Sequence, residues 1–493
     1  MNTKLTKNYW RRTAAEWERR GERYTLKLFR NAADRVPAYK DFLKKNKINP
    51  SKITRVEHLE NLPPVNKKNY LSQYPLEKLV WDGNLKCPTV FSATSGSTGE
   101  PFYFPRDKGL SANSSVYHEL FLRNVVKSGE SVLVIVGFGM GAWIGGVITY
   151  QAFNILGERG YPVSIITPGP NKKEILETFR KIAGKFDAVI LCGYPPFLKD
   201  ILDEGEADGI NWKDYNLKII FAAESFSEEF RTYILNKIGV PSSASSTTNI
   251  YGTADLGTMA METPLSIRIR RALLKEPALY GKIFSEAGRL PTLAQFNPEA
   301  IRFDASGGEI LCTADSVLPL IRYEIGDRGG VTRFTEMEGS FRNIGIKFPS
   351  AQTAGIEPKW PFVFVYERSD LSVKLYGAII YPEHIREVLA HPSFSSLTGK
   401  FTIITEHDKF HNEHMDIHIE LKKGILPKVK LQDQLQIAII KNLLTRNAEY
   451  NYLHGLMPAR VKPKITLWKH EHPAYFGPAG KQKWVKKISV PSI

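Results

Sequence analysis

Residues 171–239 contain NKKEILETFRKIAG (171–184), FDAVILCGY (186–194), LKIIFAAE (217–224) and SEEFRTYILNKIG (227–239). The second and third are short apolar runs of strand length. The first and fourth mix apolar and charged residues as an amphipathic helix does. Upstream, SVLVIVGFG (131–139) and YPVSIIT (161–167) add two more apolar runs. Strand–helix alternation of this kind predicts a parallel sheet with helices on both faces, spanning residues 87–330.

Around this block the text changes character. Residues 1–45 read as helix, with Trp10, Trp17, Leu26, Phe29 and Ala33 near helical spacing and a break at Pro37. Asn49-Pro50-Ser51 and Leu62-Pro63-Pro64-Val65 punctuate a loop region. Residues 262–300 interrupt the alternation with a basic, helix-like insertion, RIRRALLKEPALYGKIF. A second unit starts near residue 370, with helices at Tyr381–Ala390 and Leu431–Leu444 and strands at Phe401–Thr405, Met415–Leu421 and within Ala459–Trp468. The expected fold class is α/β, with a large N-terminal domain (1–369) of mixed or parallel sheets flanked by helices. A small α+β C-terminal domain (370–493) follows.

The chain has 493 residues, 42% hydrophobic and 24% charged, which excludes a mostly disordered, collagenous or multi-span membrane protein. No apolar window is long enough for a membrane span. The N-terminus runs into charge rather than a signal-peptide core. Three cysteines, Cys87, Cys192 and Cys312, make no CxxC, so neither a disulfide framework nor a zinc spacing is expected, and the reading is cytoplasmic. The net charge is +16. Residues 371–493 hold 18 basic and 10 acidic side chains, and residues 1–30 hold 9 and 3. Such a surface suits polyanions, whether nucleic acid, anionic lipid, nucleotide or coenzyme A, and equally a solvated basic face with no partner.

The strongest local signal is Ser92-Ala93-Thr94-Ser95-Gly96-Ser97-Thr98-Gly99-Glu100-Pro101. Small hydroxyl residues and glycines at 95–99 can form a nest of backbone amides for phosphate oxygens. GxxxxGK[ST] is absent, so this is no Walker A loop. Three further segments follow in order: Asn249-Ile250-Tyr251-Gly252-Thr253-Ala254-Asp255, Leu320-Ile321-Arg322-Tyr323-Glu324-Ile325-Gly326-Asp327, and Glu367 to Gly377 (ERSDLSVKLYG). A terminal Gly480-Lys481 closes the series.

In this series the chain resembles the adenylate-forming superfamily of acyl-CoA synthetases, peptide-synthetase adenylation domains and luciferases. Within it, Val36-Pro37-Ala38-Tyr39, Leu59 to Lys67 (LENLPPVNK) and Phe138 to Gly146 (FGMGAWIGG) resemble the phenylacetate–CoA ligase branch. The resemblance implies ATP-dependent activation of a carboxylic acid, aryl or fatty, as acyl-AMP, with transfer to a thiol, coenzyme A or a carrier protein's. It implies that Ser95, Gly96, Ser97, Thr98 and Gly99 cradle ATP phosphates. Ala223, Glu224, Ser225, Tyr251 and Gly252 would meet adenine, Thr253 the α-phosphate, and Asp327 and Arg368 the ribose. Asp255 stands at the position of a Mg2+ ligand, and Phe138, Trp143 and Gly145 at the acyl pocket. Asp370 would be the hinge of a mobile C-terminal domain, Lys374 and Gly377 its thiol-channel side, and Lys481 its adenylating lysine. The Cys/His cluster of some relatives has no counterpart in Met259–Arg270, so no structural zinc is expected.

Other readings stay open. An amine or a protein thiol could be the acceptor instead. The basic charge, with Asp255 and Glu100 departing from the family pattern, would also fit a nucleic-acid or anionic-surface binder on a worn-out ligase fold. No specific nucleic-acid partner is expected, because the basic stretches lack interleaved aromatic residues for stacking. GFGMGAWIGG does not match GxGxxG opening a helix, which excludes a dinucleotide loop, and His470 and His472 read as surface residues. Oligomeric state, including a homodimer, is left open.

Overall fold

The computed structural model describes residues 5, 7–87, 89–94, 102–141, 144–284, 290–350, 355–368, 372–389 and 391–476. The four apolar runs form the strands Val132–Val136, Val163–Ile166, Ala188–Gly193 and Leu217–Ala222, and these lie parallel with Thr247–Thr253. Side chains alternate between two apolar layers. Leu133, Ile135, Val189, Leu191, Ile219 and Phe221 face one layer. Val132, Val134, Val136, Ile190, Cys192 and Ile220 face the other. A strand covered on both faces must be apolar at every position, which is why these runs show no polar alternation. The helices Lys172–Lys181, Pro195–Ala207 and Glu228–Lys237 cover the first layer, and Lys108–Val125 and Ile144–Glu158 cover the second.

The sheet is mixed. Among the described residues it has eleven strands, and from Gly257–Met261 onward the neighbours run antiparallel. The expectation of a parallel sheet through residue 330 therefore holds only as far as Thr247–Thr253. The segment 262–300 is also more than an insertion. After the helices Pro264–Lys275 and Pro277–Ile283 it supplies the strand Thr292–Gln295, which sits between Gly257–Met261 and Phe362–Arg368 in mid-sheet. Among the described residues its arginines are paired internally. Arg270 reaches Glu262 and Glu228, each at 3.0 Å, and Arg271 reaches Glu228 at 3.1 Å. Arg231 joins the same buried carboxylates at 2.7 Å (Glu262) and 3.0 Å (Glu228).

The N-terminal helix Ala14–Arg35 opens on a capping box between Thr13 and Glu16 and stops before Pro37, which starts the helix Pro37–Lys45. The C-terminal unit has the three-stranded sheet Leu397–His407, Glu413–Leu421, Lys464–Trp468, with the helices Pro382–Leu389 and Val429–Arg446 and a small hairpin, Val373–Leu375 with Ala378–Ile380. Its apolar side merges with the layer over the parallel strands. Among the described residues no helix is long and apolar enough to cross a membrane.

Candidate active site

Candidate residues gather where the parallel strands end. Phe138 follows Val132–Val136, Tyr194 follows Ala188–Gly193, Ala223–Ser225 follow Leu217–Ala222, and Gly252 and Thr253 close Thr247–Thr253. Carboxyl ends of parallel strands are where open α/β sheets bind ligands, because adjacent loops diverge there and leave a crevice.

Among the residues expected to meet a nucleotide, Tyr251 donates its hydroxyl to Asp327 Oδ2 at 2.6 Å, and its ring stacks on Phe303 at 6.1 Å between centroids. The strand register sets Asp327 opposite Arg368, so these two expected ribose residues are cross-strand neighbours. The Arg368 side chain lies outside the description. Thr253 Oγ1 accepts from Leu256 N at 3.2 Å and braces the turn that carries Asp255. Gly252 runs so close to that turn that a Cβ there would lie 2.6 Å from the Gly257 carbonyl oxygen. The hairpin of Val90–Ala93 with Tyr103–Arg106 brackets the Ser/Gly loop, and Ser92 Oγ donates to Ala254 O at 3.0 Å. The base of the loop is thus tied to the Thr253–Asp255 turn. Ser95, Gly96, Ser97, Thr98 and Gly99 themselves, like Trp143, Asp370 and Lys481, lie outside the described residues.

Asp255 is buried, but its Oδ2 accepts from the Tyr323 hydroxyl at 2.5 Å and stands 3.9 Å from Lys67 Nζ. A carboxylate oxygen already held by a phenol and faced by an ammonium does not fit a magnesium ligand. Lys67 was not among the expected site residues. The LENLPPVNK segment brings it there through the bridge of Val65 to Tyr323 and a bond from Asn66 Nδ2 to Glu324 at 2.9 Å.

The hairpin Val373–Leu375 with Ala378–Ile380, expected on the acceptor side, docks directly on the Ala223–Ser225 turn. Lys374 Nζ donates to Ala223 O, and Gly377 N donates to Glu224 Oε1. Ala223 and Tyr376 both take left-handed backbone angles, φ +74° and +49°, a strained choice for residues with a Cβ. Gly377 has φ +88°, and a Cβ there would lie 2.8 Å from the Tyr194 ring. Tyr376 donates its hydroxyl to Asp200 at 3.2 Å and its backbone N–H to Glu413 at 2.8 Å. Arg460 reaches Asp200 at 3.1 Å and Lys199 reaches Asn412 at 2.9 Å, which broadens the seam. Burial pushes the Glu224 carboxyl up to about 7, against the pull of Lys374 and the Gly377 N–H. Glu413 is raised well above the usual carboxylate range by burial and then by Glu224.

Tyr194 joins the two sides. Its ring meets Phe138 edge-on at 5.3 Å, and its hydroxyl accepts from Gly139 N at 3.3 Å. Gly145 lies against Phe138, 3.4 Å from where a Cβ would be. Tyr194 was missed in the sequence, although its place just past a strand's carboxyl end was a usable signal.

No protein-family model matches the chain. A curated phenylacetate–coenzyme A ligase of Thermus thermophilus is 23% identical over 230 residues, 45% of this chain and 47% of that protein. The chain thus matches about half the length of that relative. Among solved structures, a 2-hydroxyisobutyryl-CoA ligase with 2-HIB-AMP and CoA in its thioesterification state aligns over 99% of this chain and 94% of that one. The TM-score is 0.68 at 13% identity. The same ligase in its postadenylation state with R3-HIB-AMP aligns over 100% of this chain and 95% of that one, with a TM-score of 0.55 at 13% identity. The chain has the fold of the adenylate-forming acyl-CoA ligases, the class its motifs resemble. Its curated match lies in the phenylacetate–CoA ligase branch, as the N-terminal segments suggested.

Proposed function

We propose that this chain is an AMP-forming acid–thiol ligase. It joins a carboxylic acid to ATP as acyl-AMP with release of pyrophosphate, then passes the acyl group to a thiol, coenzyme A in the first instance, with release of AMP. The observation that carries this reading is the docking of the Lys374–Gly377 hairpin on the Ala223–Glu224 turn, beside the Tyr251–Asp327–Arg368 group. One small C-terminal element thereby stands at the edge of the expected nucleotide site. The closer overlay with the relative captured in its thioesterification state supports reading this as the acceptor-side arrangement.

In this reading Tyr251 flanks the adenine, and Asp327, whose carboxylate accepts hydrogen bonds, orients the ribose. The amides of the 95–99 loop hold phosphate. Tyr194 and Phe138 wall the acyl group, and Gly377 leaves room for a thiol arm to pass Tyr194. Lys481 lies on the C-terminal domain, which rotates about residue 370, and serves the first half-reaction by offsetting charge at the α-phosphate. An aryl or fatty acid is the substrate class. The sequence alternatives of a carrier-protein thiol or an amine acceptor gain no specific support from the geometry.

A hydroxylamine-trapping screen of carboxylic acids with ATP tests this. Acyl hydroxamate with stoichiometric AMP and pyrophosphate is expected, and formation of ADP overturns the reading. Lys481→Ala is expected to slow adenylation by about 10²–10³-fold while thiol attack on supplied acyl-AMP continues.

A further inference from the structure

The run Lys422-Lys423-Gly424-Ile425-Leu426-Pro427-Lys428-Val429-Lys430 leaves the end of the strand Glu413–Leu421 and enters the helix Val429–Arg446. Every residue from 422 to 430 is exposed, so the segment projects from the domain rather than lining a groove. Its aliphatic side chains point out: Leu426 is 60% exposed, Val429 75% and Ile425 38%. A turn from Lys422 to Ile425, closed by a 3.0 Å hydrogen bond with Gly424 at φ +84°, holds the projection in shape.

Lysines surround these side chains. Lys422, Lys423, Lys428 and Lys430 lie within the run, and none has a carboxylate partner among the described residues. Parallel pairing of Glu420 with Trp468 sets exposed Lys469 beside its start. The helix continues the outer face through Ile437, 67% exposed, and Lys441, with Asp433 the one acidic residue between 421 and 448. The first turn of the helix carries no acidic residue, and Lys428 at its N-cap makes no side-chain cap. Lysines at the positive end of a helix and aliphatics in water are both unfavourable in the isolated chain. Both become favourable against a surface that is anionic outside and apolar beneath.

We propose that this basic–aliphatic projection docks the protein on an anionic lipid bilayer, with Leu426 and Val429 entering the interface and the lysines meeting headgroup phosphates. A nucleic acid would use the lysines but leave the aliphatics in water. A protein partner of acidic surface is the other outcome of the test below. The surface lies on the C-terminal unit and does not depend on the ligase reading.

The test is flotation of the full chain with vesicles of phosphatidylcholine alone and with about one-third phosphatidylglycerol. Binding to the anionic vesicles only, weakening as salt rises, is expected. Leu426→Asp with Val429→Asp is expected to lower partitioning by about tenfold or more. Each lysine reversed among Lys422→Glu, Lys423→Glu, Lys428→Glu and Lys430→Glu is expected to cost about fivefold or more. All six positions are exposed, and unchanged far-UV dichroism checks the fold. No binding to anionic vesicles overturns the proposal. So does binding that survives both sets of substitutions, which would place it on another basic face. Failure on vesicles together with variant-sensitive capture of an acidic acyl carrier protein overturns it in favour of a protein partner.

Discussion

Replacing Gly377 by alanine should separate the two proposed half-reactions. The residue sits at φ +88°, where a Cβ costs about 1–2 kcal/mol in backbone strain. The new methyl would also lie 2.8 Å from two carbons of the Tyr194 ring, an overpacking worth about 1–3 kcal/mol. The hairpin can escape both by leaving the Ala223–Glu224 turn, giving up the Gly377 N–H bond to Glu224. The docked-to-undocked ratio should therefore fall by at least about 30-fold, since 1.4 kcal/mol is a factor of ten. Single-turnover transfer from preformed acyl-AMP to the thiol should slow by a comparable factor, while ATP–pyrophosphate exchange stays within about twofold. Adding Tyr194→Ala removes the ring and should recover the steric share, leaving the backbone share of roughly tenfold. Transfer at the unsubstituted rate, or equal loss in both half-reactions, would refute the assignment of this hairpin to the acceptor side.

Burial raises Glu224 to about 7, so the folded state holds its proton more tightly than the unfolded chain does. This contribution is present in full below about pH 4.5 and is lost as pH rises to 7. Glu224→Gln should flatten that decline in urea midpoints measured between pH 5 and 8, although Glu413 retains part of it; an unchanged slope counts against the buried carboxylate. Asp327→Ala removes the acceptor of the Tyr251 hydroxyl and the proposed ribose contact, and should raise the ATP KM by about 10- to 100-fold, read by pyrophosphate exchange. Glu262→Ala leaves the buried Arg231 and Arg270 to share the carboxylate of Glu228 with Arg271 and should cost about 3–5 kcal/mol in chemical unfolding, whereas Lys181→Ala at a surface pair should cost under about 1 kcal/mol.

The parallel half of the sheet was legible because its strands are buried on both faces and so carry unbroken apolar runs, FDAVILCGY and LKIIFAAE among them. Thr292–Gln295 was not, because it spans four residues and carries buried polar groups. Gln295 donates to the carbonyls of Pro358 and Trp360 and accepts from Thr263, so its polarity is satisfied by partners distant in sequence. The ordered motifs singled out Tyr251 and Asp327 separately, one for adenine and one for ribose, and the structure joins the two side chains by a 2.6 Å bond. Lys67, Tyr194 and Glu413 escaped notice for the opposite reason. Lys67 meets Asp255, Tyr194 meets Gly377 and Glu413 meets the Tyr376 N–H only through the fold, and nothing in local spacing records such contacts.

The position of Thr292–Gln295 also sets an order of assembly on the ribosome. Its outer neighbour, Phe362–Arg368, is synthesised after the meander of Ile301–Ser306, Glu309–Ala314 and Leu320–Thr332, yet it is the strand that joins that meander to the rest of the sheet. Before Phe362–Arg368 is made, Leu320–Thr332 and Thr292–Gln295 each lack the neighbour that stands between them, which leaves a gap one strand wide between the meander and the rest of the sheet. Closing the gap is a late, non-local step, and until it happens both edges are open to trigger-type chaperones or to a neighbouring nascent chain. Phe362–Arg368 thus acts as a keystone: a chain released before it is complete retains both edges, while one released just after it has a closed sheet and lacks only the C-terminal unit.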